Sequence, residues 1–184
     1  DYTEVITQIA RKKPDAIYTS LWGGDLVSFI DQALLYGIFK NTELFAINLA
    51  DYTTMSAVRN LPKGLHSATR YVAAWPNTQD NRDYDKSYTD IYGDHPTNWS
   101  WEASVGIDYL INALKETRST DTKKLAEAIK GKTRKSFMGV GDGNTVSIRD
   151  RDQTIVDYSI GWGTTISNEP YMTDIQGADW NTIK

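Results

Sequence analysis

The chain has no cysteine among its 184 residues. Disulfides and thiolate chemistry of every kind are therefore excluded, which suits an exported protein without disulfides and a cytosolic one equally. Histidine is scarce as well. His66 and His95 lie in different segments, and neither stands near a serine motif such as G-x-S-x-G, so both read as surface or packing residues. No apolar run approaches the roughly 18–20 residues of a membrane span. The net charge of −4 lacks the basic excess of a nucleic-acid binder. No signal peptide is recognised within the sequence. The chain opens on Asp1 rather than Met and reads as trimmed or partial, so the missing leader says nothing against export.

What is present is an α/β pattern. Residues 1–14 read as a helix with Val5, Ile6 and Ile9 on one face. The run Ala16-Ile-Tyr-Thr-Ser-Leu-Trp22 is apolar, β-branched and aromatic, as in a buried strand, and Gly23-Gly24 breaks it. Leu26, Phe29, Ile30, Ala33 and Leu34 then recur at helical spacing until Gly37, with Asp25 placed as an N-cap. Residues 44–49 read as a second strand, 53–60 as a short helix with Met55 and Val58 three apart, and 65–74 as a third strand. Leu61-Pro-Lys-Gly64 is a loop by its Pro and Gly. The alternation of strand and helix is the pattern of a parallel sheet with parallel strands at 16–22, 44–49 and 65–72.

A boundary is expected near Trp75, followed by a polar loop at 76–83. Helices are expected at 83–92, ended by Gly93, and from Asn98 to near Thr117, with Val105, Ile107, Leu110, Ile111 and Leu114 as its apolar face. A further helix at 123–130 is capped from Ser119-Thr120-Asp121 and stopped by Gly131. Strands are expected at 145–148 and 155–162, with a polar turn at 150–153 between them and an irregular tail to Lys184.

Catalytic and metal motifs are weak. Asp150 and Asp152 fall in the polar turn. Asp142-Gly-Asn144 begins like a calcium loop, but the closing Glu does not follow. Gly139-x-Gly141-x-Gly143 lacks the strand before and the helix after it that a dinucleotide fingerprint needs. Asn98-Trp-Ser100 matches a glycosylation sequon, a short pattern that chance often produces. Neither catalysis nor a cofactor or metal is expected.

The run from Asp1-Tyr-Thr through Lys-Pro-Asp-Ala-Ile-Tyr18, Trp22-Gly-Gly-Asp25 and Gln32-Ala-Leu-Leu-Tyr-Gly37 resembles the second lobe of type I periplasmic solute-binding proteins, and more narrowly the branched-chain amino-acid group that serves ABC importers. The likeness continues at Leu61-Pro-Lys-Gly-Leu65, Tyr92-Gly93, Pro96, the 102–114 helix and Thr145-Val-Ser-Ile-Arg-Asp-Arg-Asp-Gln153. It implies an α/β fold, a three-layer parallel sheet of a Rossmann-like lobe, on a partial chain. It divides the chain into a second-lobe core at 1–74, a block at 75–154 that would pack on the first lobe, and a return strand and tail at 155–184. A full receptor has a complete first lobe. Without it, the helical block would be left with exposed apolar faces, and the isolated chain is expected to self-associate.

In open parallel sheets, ligands bind beyond the carboxyl ends of the strands. Trp22, Gly23, Gly24 and Asp25 are accordingly candidate binding residues. Trp22 reads either as an aromatic wall or as core packing. The glycines read either as a cradle that leaves helix-start amides for an anion or as a bare turn, and Asp25 as a cap, a contact or both. The resemblance implies an acidic residue after the second strand to hold an amino-acid ammonium. The matching position here is Leu49, with Asp51 two residues on. Arg70, near the end of the third strand beside Tyr71, suits a carboxylate or an ion pair. Trp99 matches an aromatic position that contacts ligand in the branched-chain group. The implied function is a non-enzymatic receptor that captures a small solute, an aromatic or carboxylate compound or an amino acid, for a membrane permease, in the periplasm or elsewhere outside the cytoplasm. A sensor or regulatory domain of the same fold and an α/β enzyme fragment are the alternatives; the latter lacks a convergent nucleophile and base.

Overall fold

The computed structural model describes residues 1–140, 143–178 and 180. The chain forms two compact units. The first comprises Asp1–Ala74 and Ile160–Gly177, the second Trp75–Ser159 and the described part of 178–184.

In the first unit, α1 (Thr3–Lys12), β1 (Ala16–Thr19), α2 (Gly23–Leu35), β2 (Glu43–Ala46), α3 (Tyr52–Ala57) and β3 (His66–Thr69) alternate as the apolar patterning requires. Strands β1 and β2 pair in parallel from Ala16 opposite Glu43 to Thr19 opposite Ala46, and Phe45 stands opposite His66 on β3. The sheet ends as a mixed one: β3 pairs antiparallel with a later strand, placed between β3 and the last strand of the order. Helix α2 neighbours both α1 and α3. Burial alternates along the strands. Leu44, Ala46, Ser67 and Thr69 are buried, and Leu26, Phe29, Ile30 and Ala33 of α2 and Met55 of α3 share that core. Each of the Leu, Ile, Phe and Met side chains among these contributes about 1.5–3 kcal/mol on burial. The opposite face carries Tyr18, Phe45 and His66, all at least partly exposed.

In the second unit, α4 (Gln79–Tyr92), α5 (Asn98–Thr117) and α6 (Thr122–Ile129) accompany an antiparallel sheet of β4 (Thr133–Lys135), β5 (Thr145–Ile148) and β6 (Ile155–Val156). Helix α4 starts earlier than the expected 83, because Thr78 caps it by accepting from the Asn81 N–H at 3.2 Å. A capping box opens α5, in which the Thr97 hydroxyl accepts from the Ser100 N–H and the Ser100 hydroxyl accepts from the Thr97 N–H. The expected apolar face of α5 divides in two. Trp101, Val105, Tyr109 and Ala113 are buried, whereas Ile107, Leu110 and Ile111 are 54%, 37% and 43% exposed. The Tyr109 hydroxyl lies 2.8 Å from the Val146 carbonyl and 3.2 Å from that of Lys132, tying α5 to the sheet.

The expected strand at 155–162 is two strands. Ile155 and Val156 pair with β5, Asp157 takes a left-handed backbone (φ 62°), and the chain enters the first unit only at Ile160. There β7 (Ile160–Thr165) pairs with β3, and β8 (Met172–Ala178) follows in a tail that the sequence pattern left irregular. Gly163 permits the approach of β7 and β8: a Cβ there would stand 2.6 Å from the Thr173 carbonyl oxygen. Gly141 and Asp142, on which the calcium-loop and glycine readings fell, and the last four residues of the tail lie outside the described residues.

Burial pushes the Tyr109 phenol from its ordinary value near 10 up to about 12. The folded protein therefore holds a proton that the unfolded chain loses, and the stabilisation present below pH 10 is lost as pH rises toward about 12. Urea titrations across this range are expected to show that loss, and Tyr109→Phe is expected to flatten it. Gly163→Ala is expected to lower unfolding stability by about 1–3 kcal/mol at neutral pH, read by the same titrations.

A candidate ligand edge in the first unit

Because β1, β2 and β3 run in parallel, their exits reach one edge of the sheet. After β1, the Leu21 N–H donates to the Thr19 hydroxyl at 3.1 Å, and the chain turns through Trp22, whose backbone is extended (φ −141°, ψ 150°). Helix α2 then begins at Gly23, so Trp22 is its N-cap residue and Asp25 stands in its first turn. Asp25 is not the cap that the spacing suggests, because Gly23 at φ 53° already starts the helix. No side chain caps this end. The first N–H groups of a helix have no intrahelical partner, and the helix dipole adds partial positive charge there. A Cβ built on Gly23 or Gly24 meets nothing within 4 Å, so the space beside both α-carbons is open. Trp22 is 63% exposed. Packing in the core, the alternative reading of this tryptophan, does not occur. The Asp25 carboxylate lies near the Tyr2 phenol, whose pKa is raised first by desolvation and then by that carboxylate.

The exit of β2 is braced to that of β1. The Asn48 amide donates to the Ser20 and Leu21 carbonyls at 3.3 and 3.4 Å. Ser67, on β3, donates to the Ala46 carbonyl at 2.7 Å and accepts from the Ala50 N–H at 2.8 Å. Leu49 is fully buried, so its side chain packs in the core and presents nothing to the edge. Asp51 is 9% exposed and precedes α3, and its carboxylate accepts the Thr53 hydroxyl. Beyond β3, Arg70 is half-buried and Tyr71 is 1% exposed. Trp22, Gly23, Gly24, Asp51 and Arg70 thus follow three adjacent parallel strands. Trp99 belongs to the other unit, where it is 51% exposed in the first turn of α5.

Sequence reasoning missed Asn48 and Ser67 as braces. It also missed an aromatic stack on the open sheet face. Phe45 and His66 rings lie 4.4 Å apart and nearly parallel, and His66 stacks on Trp162 at 5.3 Å. The period-two alternation of β2 and β3 was the available signal, since it sets Phe45 and His66 on one face. The Asp150/Asp152 turn is structural: Arg149 grips Asp152 with two hydrogen bonds of 2.9 and 2.6 Å, which hold that carboxyl well below the usual carboxylate range.

A parallel α/β core with an uncapped helix start at its carboxyl edge is an arrangement at which α/β folds commonly bind small molecules. The sequence profile of a family described as periplasmic binding protein matches residues 1–161, and the chain belongs to that family. No curated protein matches the chain. Among solved structures, it is similar to a solute-binding protein of an ABC transporter from Rhodopseudomonas palustris BisB5 in complex with 3,4-dihydroxybenzoic acid, with TM-score 0.81 and 21% identity over 96% of this chain and 48% of that one. It is also similar to an amino-acid ABC transporter substrate-binding protein from Pseudomonas fluorescens Pf-5 (TM-score 0.79, 18% identity, 97% of this chain and 48% of that one). A leucine-binding protein from Thermotoga maritima MSB8 follows at TM-score 0.70 and 18% identity, with 97% and 48% covered. The chain therefore spans about half the length of these relatives. Among the described residues, no helix is long and apolar enough to cross a membrane.

Ser67→Ala removes the acceptor for the Ala50 N–H and the donor to Ala46. It is expected to cost about 1–3 kcal/mol, because the partners stay buried. Hydrogen exchange at the Ala50 amide, followed by NMR, is expected to accelerate more than exchange in α2.

Proposed function

We propose that this chain is part of a non-enzymatic solute receptor for an ABC importer, working outside the cytoplasm with a membrane permease as its partner. Family membership supports the receptor role. The observation that carries the reading is the start of α2, where an exposed tryptophan adjoins two glycines with open space beside their α-carbons and no side-chain cap. That arrangement suits a solute with a planar or apolar body and an anionic group. The body would lie against Trp22, and the anion would take the helix-start amides, with Arg70 as a second partner. Leu49 supplies no charge for an ammonium group, and the nearby Asp51 carboxylate is engaged by Thr53. An aromatic or other carboxylate therefore fits better than a free amino acid. Relatives of both kinds exist: the one from R. palustris was solved with a dihydroxybenzoic acid, whereas that from T. maritima is a leucine-binding protein.

Calorimetric titration of the full-length protein with aromatic acids, the matching amides and branched-chain amino acids tests this. Trp22→Ala is expected to weaken binding of the preferred solute by about 1–3 kcal/mol. Arg70→Ala is expected to cost more for an acid than for its amide. Tight binding of leucine or valine that is unchanged in Trp22→Ala would overturn the pocket described above.

A further inference from the structure

Charge is unevenly spread along this acidic chain. Residues 115–135 carry eight lysines and arginines against three carboxylates, in a protein whose net charge is −4. They form one continuous piece of the second unit: the end of α5, all of α6, and β4. Helix α6 packs beside α5. On α6, Leu125, Ala128 and Ile129 are half-buried, whereas Lys123 and Lys124 are exposed. By the helical repeat, Lys123 stands on the side opposite Leu125 and Ile129.

The three carboxylates are engaged locally. Glu116 lies 3.2 Å from the Lys132 ammonium and Glu127 lies 3.7 Å from that of Lys130. Asp121 caps α6 by accepting from the Lys124 N–H at 3.0 Å. Arg134 is paired with Asp108 at 4.0 Å. Asp150 stands beside Gly131 and offsets some of the remaining charge. Lys115, Arg118, Lys123, Lys124 and Lys135 are exposed and have no carboxylate partner among the described residues. The first four fall between residues 115 and 124, at the turn from α5 to α6. Burying unpaired cations is strongly unfavourable, so this turn stays in water unless an anionic surface meets it.

We propose that the α5–α6 turn is a docking surface for an anionic lipid bilayer, whose headgroup phosphates it meets with Lys115, Arg118, Lys123 and Lys124. Lysine predominates here, and lysine is depleted in protein interfaces, where arginine is enriched. Ammonium groups on flexible stems suit a diffuse array of phosphates, which demands no fixed geometry. Helix α6 keeps its apolar side toward α5, so the attachment is peripheral and electrostatic. The contact uses none of the residues at the Trp22 edge and goes beyond the solute-binding role.

Co-sedimentation of the full-length protein with vesicles tests this, using equal parts phosphatidylglycerol and phosphatidylcholine, or phosphatidylcholine alone. Binding is expected to the anionic vesicles only, and to fall steeply as salt rises from roughly 20 mM to roughly 500 mM. Each lysine near such a surface contributes about fivefold in partitioning, so the pair Lys123→Gln and Lys124→Gln is expected to weaken binding by about 25-fold. Circular dichroism checks that the pair leaves the helices intact. Lys12→Gln with Lys13→Gln makes the same change in net charge at exposed lysines of the first unit and is expected to leave binding within about twofold. Solute affinity is expected to be unchanged in both pairs, so failure here is distinct from failure of the receptor reading. Absence of binding to the anionic vesicles, or a loss in the Lys123/Lys124 pair no larger than in the Lys12/Lys13 pair, overturns the proposal. Binding of a polyglutamate peptide without binding of anionic vesicles also overturns it, and assigns the turn to an acidic protein instead.

Discussion

The parallel pairing of β1, β2 and β3 is the constraint on which the first unit depends. Parallel strands cannot be joined by tight turns, so each pair needs a crossover segment, and here that segment is a helix. The same geometry sends all three strand exits to one edge. Ser67 and Asn48 then fasten the exits to one another with hydrogen bonds that no helix or strand ladder supplies. The edge is therefore set by backbone topology first and by a few polar side chains second. The exposed residues there can vary without disturbing either.

The second unit is organised differently. A single long helix carries two apolar stripes, and only one of them is used internally. Trp101, Val105, Tyr109 and Ala113 follow the helical repeat on the inner side, while Ile107, Leu110 and Ile111 follow it on the outer side. Tyr109 fastens the inner side to β5 through the Val146 carbonyl, and its hydroxyl is held neutral by the burial that makes that contact dry.

The alternation of apolar runs and helical periods in residues 1–74 was legible because each element there follows its own local rule. Gly23-Gly24 and the cap at Ser119-Thr120-Asp121 are local signals of the same kind. The later strands were harder to read. A left-handed Asp157 interrupts what looks like one β run, and its two halves join different sheets. Strand β8 contains Asp174 in a left-handed conformation and a glycine, neither of which favours a strand. Its place depends on the missing side chain at Gly163, a contact between segments that no local window contains. At the edge, the family resemblance put Leu49 among the ligand-side residues. Its burial follows from the path of the loop after β2, which Ser67 determines from another strand.

The glycine doublet at the start of α2 leaves chemistry there to the main chain. A peptide N–H is the same in every residue but proline, so substitution at Gly24 leaves this part of the edge in place, whereas Gly23 at φ 53° keeps its backbone conformation only as glycine. Side chains around it, Trp22 and Arg70 among them, carry no such protection. On the proposed receptor reading, lineages that inherit the doublet keep the main-chain part of the edge, and a change of solute would be recorded in the side chains around it.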